Sequence, residues 1–434
     1  MQEAFPLQAV SLIRIGHVKR TMILTAPPTL LVWESVLTAV MLGFTSRNSW
    51  LREACLPLMI AAAWSSVIHA KDYMVRGPWA ALVGGYCVTY VYQYVTLVLL
   101  VRMSYEERDK TASRREGRFD STSGGQASQP SIQVDQLVKR FNFGFKTAST
   151  FRWPRQNEKL SSNNTGKASS ASKPRDFVVR AILKVGCCYL TLDAMSFAID
   201  EGMNSRYFNS SRVPFFARIY AVSCQEVTIR VCATIVFGIG VFCTQAMGQS
   251  LIVVAAVSLG MSKPEEFLSG FGSLKEAYSL RRFWSGFWHQ FNRRSFSEPA
   301  KLITETILGH PRSSLSYDVA YLVLAFWSSG VMHLGIDLSS GIPFHESGAV
   351  RFFTIQALGI TGEQAIMGAL RSLLFSTHQR IPLVWRQRIG YCWVLAFLSW
   401  SAPAYIYPTL RRTKRGEEES ILPVSVLYRI LSST

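Results

Sequence analysis

Residues 322–334 read Leu-Val-Leu-Ala-Phe-Trp-Ser-Ser-Gly-Val-Met-His-Leu, an almost unbroken apolar run that carries one histidine, His333. A helix needs about 20 apolar residues to cross a bilayer, and this run lies within a longer apolar segment at 316–338. Comparable segments occur along the rest of the chain, at about 22–45, 51–70, 78–103, 177–199, 219–246, 351–375 and 389–410. The sequence therefore predicts an all-α fold, a polytopic transmembrane helix bundle with about eight spans.

The composition of the 434-residue chain agrees with a membrane protein, because 49% of its residues are hydrophobic and its mean hydropathy is +0.16. The net charge of +18 would point to nucleic acid in a soluble protein. Here the basic residues lie mainly between the apolar segments, as expected for cytoplasmic loops. The predicted partner is thus the lipid bilayer and not nucleic acid.

Apolar and polar stretches divide the chain into five regions. The loop at 104–176 holds fourteen Lys or Arg against eight Asp or Glu and is rich in Ser, Asn and Gly, so it is predicted to be largely disordered and cytosolic. An apolar run at 250–261 is too short to span by itself. The regions are N-terminal transmembrane helices at 1–103, the basic loop at 104–176, central transmembrane helices at 177–262, a candidate catalytic region at 263–410 and a C-terminal tail at 411–434.

The histidine of the opening run is the first candidate for chemistry, because an ionisable side chain inside a span is costly without a polar partner or cavity. On a helix, Ser329 and Asp337 lie four residues to either side of His333, on the same face. Asp337 is expected to hold the imidazole in one tautomer and leave the other nitrogen as a base. The alternative is a structural histidine that forms a hydrogen bond between helices.

Other charged residues also fall within predicted spans. Glu363 has no cation near it in sequence and is a candidate to line a cavity, whereas Glu226 and Arg230 are four residues apart and are expected to pair structurally. The eight cysteines lack the spacing of a zinc site, so no metal is predicted. No Gly-rich phosphate loop is present, and no permanently bound cofactor is expected.

A second histidine, His289, ends the stretch at 279–290, Ser-Leu-Arg-Arg-Phe-Trp-Ser-Gly-Phe-Trp-His-Gln, and Arg293 and Arg294 follow it. Such aromatic residues are typical of a membrane interface, and the arginines of an interfacial helix can bind lipid headgroups. A basic rim of this kind also suits a ligand rich in phosphate. Both interpretations remain open from the residues alone.

The stretch at 279–290, together with Pro264-Glu-Glu-Phe at 264–267 and Phe-Gly-Ser at 271–273, resembles the wax synthase domain signature of plant and fungal membrane-bound O-acyltransferases. Phe-Trp-Ser-Ser-Gly-Val-Met-His at 326–333 resembles the intramembrane histidine motif of the same family. The resemblance covers about 264–337. It implies that 263–410 is a wax synthase-like catalytic region, similar to fungal secondary-metabolite acetyltransferases.

This resemblance also implies roles for individual residues. His333 takes the position of the catalytic base and His289 that of the assisting polar residue. Acetyl-CoA is the implied co-substrate, and an apolar alcohol is the acceptor. The residues expected to hold the acyl-CoA, through its phosphates or its reacting carbonyl, are Arg281, Arg282, Trp288, Asn292, Arg293 and Arg294.

The predicted function is therefore the transfer of an acetyl group to a hydroxyl of an apolar secondary metabolite, a terpenoid or meroterpenoid, by a multi-pass protein of the endoplasmic reticulum. A wax-ester synthase that uses long-chain acyl-CoA and a fatty alcohol is the alternative within the family. A transporter is the alternative from another class, since buried charges also mark transport paths. The two related halves expected of many transporters are not visible in the sequence.

Overall fold

The computed structural model describes residues 26–108, 129–151, 174–373, 382–415 and 419–432. Within these ranges the regular elements are all helical. The α-helices are α1 Pro27–Phe44, α2 Leu56–Tyr73, α3 Gly77–Tyr94, α4 Gln129–Ala148, α5 Pro174–Phe197, α6 Glu201–Tyr207, α7 Cys224–Ser258, α8 Leu280–Arg282, α9 Arg293–Leu302, α10 Leu315–Ser339, α11 Ala349–Leu373, α12 Leu383–Ser401, α13 Pro403–Arg412 and α14 Val426–Ser432, with a single turn at Leu51–Ala54 before α2.

Shorter helical turns of other types adjoin several of these helices. The wider π-helical turns Val95–Leu100, Phe283–Phe287 and Ile303–Ile307 continue α3, α8 and α9. The tighter 3-10 turns are Ser210–Arg212, Phe216–Ala221, Pro264–Glu266 and Leu274–Glu276. π-helical turns are frequent at functional sites. The turn at Phe283–Phe287 lies within the stretch at 279–290, which is therefore a candidate functional segment.

Five helices among the described residues are long and apolar enough to cross a membrane: Pro27–Phe44, Leu51–Tyr73, Gly77–Leu100, Cys224–Ser258 and Leu315–Ser339. Two bent pairs raise the number to seven if each is one span, namely α5 with α6, bent by 77°, and α12 with α13, bent by 59°. The all-α membrane fold is thus confirmed, whereas the predicted number of eight spans is not. The predicted span at 351–375 corresponds to α11, which is absent from these candidates.

The structure corrects the prediction for the middle of the chain. The span predicted at 219–246 and the short apolar run at 250–261 belong mainly to one helix, α7, which has 35 residues. Gly248, which lies between them, has open space around it and does not interrupt the helix. At about 1.5 Å of rise per residue, α7 is about 52 Å long, which exceeds the roughly 30 Å of a bilayer's hydrocarbon core.

The first of two compact units contains α1 to α4 and comprises residues 1–151 and 338–341. Within it α4 packs closely on α1, because a Cβ atom at Gly43 would lie 2.5 Å from the carbonyl oxygen of Arg140, and one at Gly144 would lie 2.0 Å from that of Ala39. Glycine at such contacts lets two helix backbones approach. Part of the loop predicted as largely disordered, residues 129–148, is therefore helical, while 109–128 and 152–173 lie outside the described residues.

The second unit comprises residues 152–337 and 342–434 and contains all the candidate catalytic residues. In it α5 packs along α7 through a core that includes Cys188, Leu192, Cys243 and Ala246. The Asp193 carboxylate of α5 accepts hydrogen bonds of 2.9 Å from the backbone N–H groups of residues 426 and 427. The C-terminal tail is thus anchored on α5 at the start of α14.

Candidate active site

The His333 ring, on α10, has a defined tautomer. Its Nδ1 atom lies 2.8 Å from the backbone carbonyl oxygen of Ser329. A carbonyl oxygen only accepts hydrogen bonds, so Nδ1 carries the proton and Nε2 keeps an available lone pair. The Nε2 atom of His333 is therefore the unprotonated nitrogen of the ring.

The group that orients the His333 imidazole is the backbone carbonyl of Ser329 and not the predicted Asp337. His333 is held by the Ser329 carbonyl, whereas Asp337 accepts a 2.6 Å hydrogen bond from the hydroxyl of Ser347 and is 2% exposed. Side chains on a helix lean towards its N-terminus, so the imidazole approaches the turn that contains Ser329 and not the turn that contains Asp337. Ser329 acts through its backbone, and Asp337 joins α10 to the loop that precedes α11.

Aromatic rings surround the His333 imidazole. The ring of Phe353 packs on it at a centroid distance of 4.2 Å, and the ring of Tyr405 stands perpendicular to it at 5.6 Å. Tyr405 also stacks on Phe352 at 5.7 Å. These rings cover part of the imidazole and make its surroundings apolar, which strengthens each polar interaction there. Sequence analysis did not identify these rings, which lie on α11 and α13.

The second candidate stretch begins at an anchored helical turn. Glu363 of α11 accepts hydrogen bonds from the backbone N–H of Leu280 at 2.8 Å and from the indole N–H of Trp393 at 2.9 Å. It was predicted to line a cavity because no cation lies near it in sequence. Its partners are neutral donors distant in sequence, so Glu363 fixes the start of α8 and has a positioning role.

Trp284 connects this stretch to the surroundings of His333. Its indole N–H lies 3.3 Å from the side-chain oxygen of Gln356, and its ring contacts Phe326 at 5.5 Å and Phe353 at 5.9 Å. Since Phe353 also packs on His333, one set of packed aromatic side chains holds the two candidate stretches together.

His289 has an unusual backbone conformation, with φ of +37°. Positive φ is uncommon for residues other than glycine and costs about 1–3 kcal/mol. The next residue, Gln290, pins this turn: its side chain donates to the carbonyls of Trp284 at 3.0 Å and Trp288 at 2.6 Å, and its backbone N–H donates to Gly270 at 2.7 Å. Strain held in this way is characteristic of functional sites.

The motif at 271–273 supports the same turn from the other side. The backbone N–H of Gly272 donates to the carbonyl of Phe287 at 2.9 Å. A Cβ atom at Gly272 would lie 1.9 Å from the carbonyl oxygen of Gly286. Glycine is therefore required at position 272 for the segment at 270–272 to lie against the His289 turn.

We accordingly expect Gly272→Ala to lower the free energy of unfolding by about 1–3 kcal/mol, since an extra methyl group forces a tightly packed backbone apart. Gly248→Ala is the matched control because nothing lies within 4 Å of a Cβ atom there. Thermal unfolding of both variants in detergent checks the prediction. Equal unfolding temperatures for the two variants would contradict the close packing described for Gly272.

The His289 ring lies edge-on to Phe271 at 5.9 Å and to Phe291 at 5.4 Å. Desolvation by these surroundings lowers the pKa of His289 to about 4, so the ring is neutral at pH 7. A continuous chain of ring contacts joins the His289 ring to the His333 ring, through Phe271, Trp288, Phe283, Trp284 and Phe353. The structure thus brings the two predicted histidines into one site.

A pH dependence of stability follows from this environment. An ordinary histidine in the unfolded chain has a pKa near 6.5, whereas native His289 has a pKa of about 4. Between these values the unfolded state binds more protons, so stability is lost as the pH falls from about 6.5 towards 4. We expect His289→Asn to lose less stability over that range. Unfolding temperatures at several pH values measure this difference, and parallel curves for the two proteins would contradict it.

The residues next to His289 include two further candidates. Trp288 stacks on Phe283 at 5.7 Å with nearly parallel rings. Asn292 is 8% exposed and immediately precedes α9. Both side chains are neutral hydrogen-bond donors close to His289 in sequence, a type of group that stabilises developing charge on an oxyanion.

The four candidate arginines differ in their surroundings. Arg281 and Arg293 are exposed, and Arg293 lies 3.5 Å from the carbonyl of Ser285. Arg282 pairs with Glu276. Arg294 is half-buried, and this burial lowers its pKa. The candidate phosphate-binding surface is thus a mixture of exposed and paired cations.

The comparisons with known proteins agree with this site. Residues 269–355 match the family described as "Membrane bound O-acyl transferase family", a range that contains both histidines. The chain is 31% identical over 378 residues to the acetyltransferase aurG of Calcarisporium arbuscula, which covers 85% of this chain and 89% of that protein. It is 28% identical over 403 residues to the acetyltransferase fsoF of Humicola fuscoatra, covering 89% and 96%. No solved structure matches.

The family match and the two relatives define the class of this helical membrane protein, which is an acyltransferase. The chain belongs to the membrane-bound O-acyltransferase family and is an O-acyltransferase. The prediction of an O-acyltransferase is thereby confirmed over the alternative of a transporter. The roles of the individual side chains remain predictions, which are developed below.

Proposed function

We propose that this enzyme transfers the acetyl group of acetyl-CoA to a hydroxyl of an apolar secondary metabolite, a terpenoid or meroterpenoid, in the membrane of the endoplasmic reticulum. The observation that carries the proposal is the tautomer of His333, whose Nε2 lone pair lies among aromatic rings. The names of aurG and fsoF, both acetyltransferases, support acetyl as the transferred group.

In the proposed mechanism, Nε2 of His333 accepts the proton of the acceptor hydroxyl as its oxygen attacks the thioester carbonyl carbon. An alcohol is a poor nucleophile without such a base. The carbonyl oxygen becomes an oxyanion, which the neutral donors His289, Trp288 and Asn292 stabilise. Collapse of the intermediate breaks the carbon–sulfur bond, and the imidazolium returns its proton to the leaving CoA thiolate.

The acyl donor is proposed to bind with its phosphates at the exposed arginines. Guanidinium groups make strong paired hydrogen bonds to phosphate oxygens. Arg281 and Arg293 are exposed cations that lie, in sequence, on either side of the aromatic residues at 283–288. Arg282 and Arg294 contribute positive charge to the same surface.

A choice of substrates tests the proposal. Microsomes that contain the protein are supplied with acetyl-CoA or palmitoyl-CoA, each with a hydroxylated terpenoid or a long-chain fatty alcohol, and the esters are quantified by mass spectrometry. We expect the acetylated terpenoid as the main product. A long-chain wax ester as the main product would overturn the proposal in favour of wax-ester synthesis.

A further inference from the structure

The N-terminal end of α7 holds an unbalanced group of charges. The Glu226 carboxylate, 2% exposed, receives three guanidinium groups: Arg212 at 2.9 Å, Arg218 at 3.3 Å and Arg230 at 3.2 Å. The sequence predicted only the pair of Glu226 with Arg230, which the structure confirms. With the two additional arginines, the group as a whole carries a net charge of +2.

Arg230 lacks one hydrogen bond. It is 2% exposed, and its Nη2 donates to Glu226 and to the backbone carbonyls of Arg212 and Val213. Its Nη1 atom is buried and has no hydrogen-bond partner among the described residues. Buried donors in native proteins nearly always have an acceptor, so a further acceptor is expected at this group.

The other two arginines are accessible to a ligand. The side chains of Arg212 and Arg218 are 27% and 28% exposed. A cavity of about 210 Å³ adjoins them, and its walls share Val213 and Pro214 with the charged group, since the carbonyls of these residues accept from Arg230 and Arg218.

The depth of the group in a membrane follows from the length of α7. Because about 52 Å of helix exceeds the roughly 30 Å hydrocarbon core, at least one end of α7 extends beyond that core, and charged residues favour the N-terminal end. Glu226 and Arg230 lie in the first two turns. Beside Arg218, the apolar side chains of Phe216 and Tyr220 are exposed by 64% and 105%. Apolar and aromatic side chains next to cations are typical of a membrane interface.

From these observations we infer that Arg212, Arg218 and Arg230 form a binding site for the phosphate of an anionic phospholipid headgroup. Guanidinium groups match phosphate geometry, and the net charge of the group favours a lipid with net negative charge over a zwitterionic one. The exposed apolar side chains and the position at the end of α7 favour a lipid over a soluble phosphate. This site is independent of the acetyl transfer proposed above.

Native mass spectrometry of the detergent-purified protein tests the site by titration with phosphatidylglycerol and with phosphatidylcholine of the same acyl chains. We expect the wild type to prefer phosphatidylglycerol. The double variant Arg212→Gln/Arg218→Gln leaves the Arg230–Glu226 pair intact and brings the net charge to zero. Its affinity for phosphatidylglycerol should fall roughly thirtyfold, with little change for phosphatidylcholine.

The control is Arg206→Gln/Arg415→Gln, which removes two positive charges that stack on Tyr207 and Phe197 and do not contact Glu226. It should keep the wild-type affinity. If the double variant does not fold, the single variant Arg218→Gln replaces it. Its affinity for phosphatidylglycerol should fall roughly fivefold. Equal losses in the two double variants, no loss in either, or displacement of phosphatidylglycerol by excess inorganic phosphate would overturn the inference.

Discussion

The His333→Ala variant is expected to lose acyl transfer by about 10²- to 10⁴-fold in kcat, the usual effect of removing a positioned general base. The physical reason is the defined tautomer. The Ser329 carbonyl holds the Nδ1 proton, so that Nε2 alone accepts the proton of the acceptor hydroxyl.

The measurement is the initial rate of acetyl-ester formation in microsomes that contain equal amounts of folded protein. Alanine leaves space beside Phe353 and Tyr405, so His333→Gln, which retains volume without a basic nitrogen, separates catalysis from packing. It should be as inactive as alanine. His345→Ala, at an exposed histidine in the loop between α10 and α11, is the matched control and should be active. Wild-type rates in His333→Gln would show that His333 is structural.

The His289→Ala variant is expected to lose about 10²-fold in kcat, in the range found when one donor to an oxyanion is removed. The ring of His289 is neutral at pH 7, so it is suited to donate a hydrogen bond to the developing oxyanion and not to supply a full charge. A loss mainly in kcat and not in KM would identify a contribution to the transition state.

The positive φ of His289 provides the control for this variant. Asparagine tolerates this conformation better than alanine and its amide can donate a hydrogen bond, so His289→Asn should retain more activity than His289→Ala. Glycine adopts the conformation readily but donates nothing from its side chain. Full activity in His289→Gly would show that the position matters only for the backbone turn.

Much of the fold followed from local sequence patterns. Proline is tolerated in the first turn of a helix, and α1 begins at Pro27 within the apolar segment predicted at 22–45. The apolar segments gave the helices but not their number or ends, because hydropathy does not reveal where a helix continues beyond the bilayer. The long helix α7 is the example, since 250–261 alone looked too short to span.

The site was predictable only in part, because several of its side chains come from segments that are distant in sequence. The two histidines stand in recognisable motifs, and the family match at 269–355 includes both. Phe353 and Tyr405 come from other helices and leave no periodic signal near His333. The assignment of Asp337 failed because helical spacing fixes the face of a side chain but not the direction in which it leans. The partners of Glu363 were not predictable because they lie 83 and 30 residues away in sequence.

The central claim is that the acetyl group passes directly from CoA to an alcohol, with His333 as the base. The most direct test supplies purified protein with acetyl-CoA radiolabelled in the acetyl group and with a hydroxylated terpenoid. The account predicts that label moves into the extractable ester with wild-type protein, not with His333→Gln, and that none accumulates on the protein. Ester formation by His333→Gln at the wild-type rate, or a covalently labelled protein that passes its label to the alcohol, would contradict the account.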